Sequence, residues 1–178
     1  MSNKDHTIFA LSTTYGKSAI AIIRLSGEKS YSCIKKISKN MPKKPNTAVF
    51  NEIKDLDGEI IDQTITTFFK APKSFTGEDV VELAVHGGPA VIKKVLNLLE
   101  KTKGMKSASP GEFTKRAFEN NKLDLTQVEA IADVVNAETE MQRKQAISHL
   151  SGYFFIETKE IFESLKKILA NVEAVIDF

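Results

Sequence analysis

The sequence predicts an α+β domain over residues 1–122, followed at 123–178 by the opening helices of a second, α-helical domain. Short β-prone runs broken by Gly- and Pro-marked turns fill the first part. From Thr126 onward there is no proline and one glycine, Gly152, and the apolar residues take up helical spacing. Charge divides the same way. Residues 126–178 carry nine acids and five bases, net −4, which against +2 overall leaves +6 for residues 1–125. Two units with different partners are the expectation.

Residues 7–12 and 19–25 are apolar and β-prone around the polar stretch Thr13-Thr14-Tyr15-Gly16-Lys17-Ser18, and read as a strand pair. A helix is expected over 29–38. Runs 49–54 and 59–69 flank Asp57-Gly58, a dipeptide suited to a two-residue hairpin in which both positions need positive φ. Residues 80–86 alternate, with Glu82, Ala84 and His86 on one face. Gly87-Gly88-Pro89 ends that strand and opens a helix, since proline is tolerated in the first turn. Ser109 and Glu112 have capping-box spacing ahead of a short helix at 113–120, and Thr126 and Glu129 repeat it. Beyond them Ile161, Leu165, Ile168, Val172 and Val175 form one stripe, with Gly152 a kink or a break. Such a stripe needs cover from helices beyond this chain or from a partner.

With 42% hydrophobic and 27% charged residues, the composition is that of an ordinary globular chain and excludes disorder or collagen. The longest apolar run, residues 19–23, is far short of the ~20 residues that span a bilayer. Residues 1–6 lack a hydrophobic stretch behind their charge, so no signal peptide is expected, and a cytoplasmic location is. Cys33 is the only cysteine and can form neither an internal disulfide nor a zinc cluster; a buried structural thiol is expected. No second histidine lies near His86 in sequence, so no metal is expected there. The lysines at 35, 36, 39, 43 and 44 could touch nucleic acid but lack an aromatic platform for bases, and read as a solvated loop. Gly16-Lys17-Ser18 resembles the end of a P-loop. However, Leu11 stands where the first glycine belongs, and a strand-like run follows where a helix should. Arg24 closes an otherwise apolar strand and needs an anionic partner or solvent.

Phe75-Thr76-Gly77-Glu78-Asp79, Val85-His86-Gly87-Gly88-Pro89, Pro110-Gly111-Glu112-Phe113, Lys122-Leu123-Asp124-Leu125 and Gln127-Val128-Glu129-Ala130 occur together and in this order. The chain thereby resembles the N-terminal region of the tRNA-modifying GTPases MnmE (TrmE). Arg24-Leu25-Ser26-Gly27 and the closing residues 174–178 carry the resemblance to both ends. It implies a domain similar to the tetrahydrofolate-binding domain of the glycine-cleavage T-protein, which dimerises and binds 5-formyltetrahydrofolate or a related tetrahydrofolate. By motif position the folate contacts fall on Arg24, Glu82 and Lys122, with His86, Gly87 and Gly88 as further lining residues and no catalytic residue in this chain. A carboxylate such as Glu82 suits the adjacent N–H and amino groups of a pterin, and cations suit the carboxylates of the folate tail.

The resemblance further implies that the full protein, with its partner MnmG, forms (carboxymethyl)aminomethyluridine at the tRNA wobble position. This chain's link to tRNA would then be indirect. GTP, Mg²⁺ and K⁺ would belong to a GTPase domain absent from these 178 residues. The family has two prolines and further glycines where this chain has Thr14 to Ala19, so the loop backbone should differ. Two rival readings follow: a dimerisation scaffold that has lost the ligand, and a stand-alone folate-dependent one-carbon transferase.

Overall fold

The computed structural model describes residues 6–177, so the signal-peptide reading of the N-terminus and the family match at Phe178 lie outside the described residues. The chain divides into two compact units, Met1–Asn120 and Asn121–Phe178. An α+β unit followed by a helical unit is the architecture that the patterning predicts.

The first unit is a mixed six-stranded sheet in the order β3-β4-β5-β2-β1-β6. Its strands are β1 (Thr7–Leu11), β2 (Ser18–Ser26), β3 (Ala48–Lys54), β4 (Ile60–Phe69), β5 (Val80–Gly87) and β6 (Met105–Ser107). Neighbours are antiparallel except β1 and β6. Helices α1 (Ser30–Ile37) and α2 (Pro89–Glu100) cover one side. Because side chains alternate along a strand, Ala21, Ile23 and Leu25 meet Val81, Leu83 and Val85 on that side. Ile34, Ile37, Ile92, Val95, Leu98 and Leu99 of the helices close the core over them. Cys33 is buried in α1, as its apolar neighbours predict.

Two local expectations in this unit need correction, and one strand has no counterpart in the sequence reading. β3 and β4 do form a hairpin, but around a longer loop. Asp55 Oδ1 accepts from the amides of Asp57 at 3.1 Å and Glu59 at 3.0 Å, and only Gly58, at φ 85°, takes positive φ. Asp55 also receives Lys94 of α2 at 3.0 Å, which holds its carboxyl below the usual carboxylate range. Strand β6 has no sequence signature in its three residues and exists because β1 offers it a parallel edge. Gly111, at φ 75°, caps α3 (Glu112–Glu119) in place of Ser109. Half of the expected box survives, since Glu112 Oε2 accepts from the Ser109 amide at 2.8 Å.

The second unit holds α4 (Leu125–Asn136), α5 (Glu140–Leu150) and α6 (Tyr153–Asp177). Its first capping box lies at Asp124 and Gln127, two residues before Thr126 and Glu129. The Asp124 carboxylate accepts from the Gln127 amide at 2.9 Å, and Gln127 Oε1 accepts from the Asp124 amide at 3.0 Å. Thr126 serves that cap by donating its hydroxyl to Asp124 at 2.6 Å. Thr139 and Gln142 form a second box that starts α5, a break the apolar spacing does not reveal. Gly152, at φ 81°, is a break between α5 and α6. The stripe predicted on α6 is exposed, from 49% at Val172 to 81% at Val175.

Candidate functional site

The side of the sheet away from α1 and α2 carries the even-numbered residues of β2 and β5. Antiparallel register sets Arg24 directly across from Glu82. Arg24 Nε donates to Glu82 Oε1 at 2.7 Å, with the side chains 28% and 23% exposed. An ion pair this accessible contributes at most about 1 kcal/mol to folding, so its chemical interest lies in what it leaves open. Among the described residues, Glu82 Oε2 accepts no hydrogen bond and neither terminal nitrogen of Arg24 donates one. The pair therefore presents acceptor capacity on one strand beside donor capacity on the next. It suits a ligand edge in which donors and an acceptor stand in a row.

Two aromatic rings complete the surroundings of Arg24. The guanidinium carbon lies 5.5 Å from the ring centroid of Phe75, in the loop between β4 and β5, and 5.9 Å from that of Phe113 on α3. Both distances allow a cation–π attraction that restrains the guanidinium without occupying its N–H groups. Motif spelling draws attention to Phe75 and Phe113, but nothing in the sequence shows that the rings converge on Arg24.

His86 follows Glu82 on the same face, 70% exposed at its side chain, with Nδ1 2.7 Å from Asp62 Oδ1. Asp62 Oδ2 accepts the His86 amide at 2.8 Å, so one carboxylate orients both backbone and ring. The sequence pairs His86 with nothing, because Asp62 is a strand away. Gly87 has a packing reason to be glycine: a Cβ there would collide with the side chain and backbone of Ser18. Gly88 is the N-cap of α2, and a Cβ would meet only Val91 at an ordinary 3.8 Å. Lys122 is exposed in the second unit, between α3 and α4. The structure thus joins Arg24 to Glu82 and gives Gly87 a structural role. Gly16-Lys17-Ser18 leads into β2 rather than a helix, so the amide nest of a P-loop does not form.

Comparison with known proteins reads both units. A family described as the GTP-binding protein TrmE N-terminus matches residues 7–122, and the MnmE helical domain matches residues 125–178. The tRNA modification GTPase MnmE of Ehrlichia chaffeensis is 51% identical over 172 residues, covering 97% of this chain and 39% of that protein. The protein of that name from the Wolbachia of Brugia malayi is 48% identical over 182 residues, covering 100% and 40%. That of Aquifex aeolicus is 46% identical over 172 residues, covering 96% and 38%. The chain spans about two fifths of the length of these relatives. With one family model on each unit, the chain belongs to the MnmE (TrmE) family of tRNA modification GTPases, residues 7–122 matching its N-terminal domain and residues 125–178 its helical domain.

Proposed function

We propose that this chain binds a reduced folate, 5-formyltetrahydrofolate or a related tetrahydrofolate, with Arg24 and Glu82 at its pterin ring. The observation that carries the reading is the half-used ion pair. A pterin edge offers a carbonyl, a ring N–H and an amino group in sequence. Glu82 can accept from the two nitrogens as a charge-assisted pair while Arg24 donates to the carbonyl. Because Arg24 and Glu82 touch, both belong at the pterin, and the tail carboxylates fall to other cations. Lys122 is the one that the family correspondence supplies. When bound, such a folate supplies a one-carbon unit; these residues bind and orient it.

Within the full-length protein, this reading makes the chain the folate-binding and dimerising part of a system that works with MnmG. Together they form (carboxymethyl)aminomethyluridine at the tRNA wobble position, with GTP, Mg²⁺ and K⁺ handled elsewhere. Dimerisation through the α+β unit is supported by apolar side chains on the helix-free side of the sheet. Ile20, Phe50 and Ile65 are 61%, 57% and 43% exposed there. A scaffold without ligand is the second reading. It is favoured by the fact that Arg24 and Glu82 already neutralise each other, and by the unfamiliar loop before β2.

Calorimetry with 5-formyltetrahydrofolate separates the two. Glu82→Gln replaces an acceptor with a donor and should weaken binding by about 1–3 kcal/mol while the fold persists. No binding by the parent leaves the scaffold reading, whereas equal affinity of parent and variant removes Glu82 from the folate site.

A further inference from the structure

Two motifs that the folate reading leaves without a role meet in the structure. Glu78, from the loop between β4 and β5, faces Arg116 of α3, and the Arg116 side chain is only 7% exposed. Arg116 Nη1 donates to Glu78 at 3.0 Å to Oε2 and 3.3 Å to Oε1. Its Nη2 donates to the His6 carbonyl at 3.0 Å and to Glu112 at 3.4 Å. The Ser26 hydroxyl, on β2, donates to Glu78 Oε2 at 2.8 Å and lies 2.6 Å from that of Thr76. Asn120 Nδ2 adds a bond to the Thr76 carbonyl at 2.7 Å. Loop, strand and helix are thereby fastened at one buried polar cluster.

The position of this cluster matters more than its energy. A buried ion pair is weak support for stability, because desolvation offsets much of the attraction. Each element that it fastens carries one member of the Arg24 environment. Phe75 precedes Thr76, Phe113 lies one helical turn before Arg116, and Arg24 lies two residues before Ser26 on the same face of β2.

We propose that Glu78 and Arg116 are positioning residues for Arg24. By locking the loop to α3, they set the Phe75 and Phe113 rings against the guanidinium and fix its free N–H groups toward a ligand, without touching the ligand themselves. The consequence for affinity rests on the folate reading above; the geometry does not.

Glu78→Gln removes the charge and keeps the shape, and Arg116→Lys, which keeps the charge but cannot reach Glu78, the His6 carbonyl and Glu112 at once, serves should the first variant not fold. Two readouts apply. The Arg24 Nε–Hε resonance should shift or broaden in the variant, because the rings no longer hold a fixed distance from it. Affinity for 5-formyltetrahydrofolate should fall about tenfold. The loss should be non-additive with that of Phe75→Leu, since both changes act through one ring; a purely structural role would give independent losses. An unmoved Arg24 resonance in the folded variant, or additive losses, overturns the proposal. If the parent binds no folate, the binding reading fails, and the resonance alone decides the positioning role.

Discussion

An arginine that closes an apolar strand states a need without naming what meets it. Period-2 alternation put Glu82 on one face of its strand, but only the β2–β5 register brings it across from Arg24 at 2.7 Å. Contacts of this kind were illegible for one reason: the partner is 58 residues away. Asp62, which orients His86 from 24 residues off, was hidden likewise. A planar fork held between rings cannot be replaced by a point charge. Arg24→Lys should therefore bind 5-formyltetrahydrofolate nearly as poorly as Arg24→Ala. Lysine restoring most of the parent affinity in a calorimetric titration would mean that charge alone suffices. Lys122, by contrast, should tolerate arginine.

Elements were legible where the signal is local. The strands β1 to β5, α2 with Pro89 in its first turn and an interruption at Gly152 follow from alternation and turn chemistry, although the sequence does not decide between a kink and the break that the structure has. Strand β6 and the true caps did not, because pairing and side-chain reach choose among several spaced candidates. Asp124 now carries the start of α4, and Asp124→Ala should cost the helical unit about 1 kcal/mol. Thermal unfolding followed by the helical signal checks this; an unchanged midpoint would return the cap to Thr126. The hairpin loop makes a pH-dependent prediction. Lys94 lowers the Asp55 carboxyl pKa in the folded chain. That contact thus stabilises the fold at pH above the ordinary carboxylate value, and its contribution is lost as pH falls through the lowered one. Lys94→Met should raise the Asp55 titration toward the ordinary range by carbon-detected NMR. An unaltered titration would assign the shift to the loop amides alone.

At the scale of the molecule, the sequence's two-part charge and periodicity correspond to two compact units, and each leaves apolar surface uncovered. Ile20, Phe50 and Ile65 stand on the open side of the sheet, and the α6 stripe runs through Ile161, Leu165 and Ile168. Exposed patches of this sort are a common mark of association. Sedimentation at micromolar concentration should show a species of twice 19.7 kDa, reduced to the monomer by Phe50→Glu. A 19.7 kDa species alone in the parent would contradict dimerisation. Whether Arg24 and Glu82 together read a pterin is decided by a crystal structure of the chain grown with 5-formyltetrahydrofolate. The ring N–H and amino group should lie on the Glu82 carboxylate and the neighbouring carbonyl on Arg24. Folate bound elsewhere, with the Arg24–Glu82 pair undisturbed, would contradict that placement.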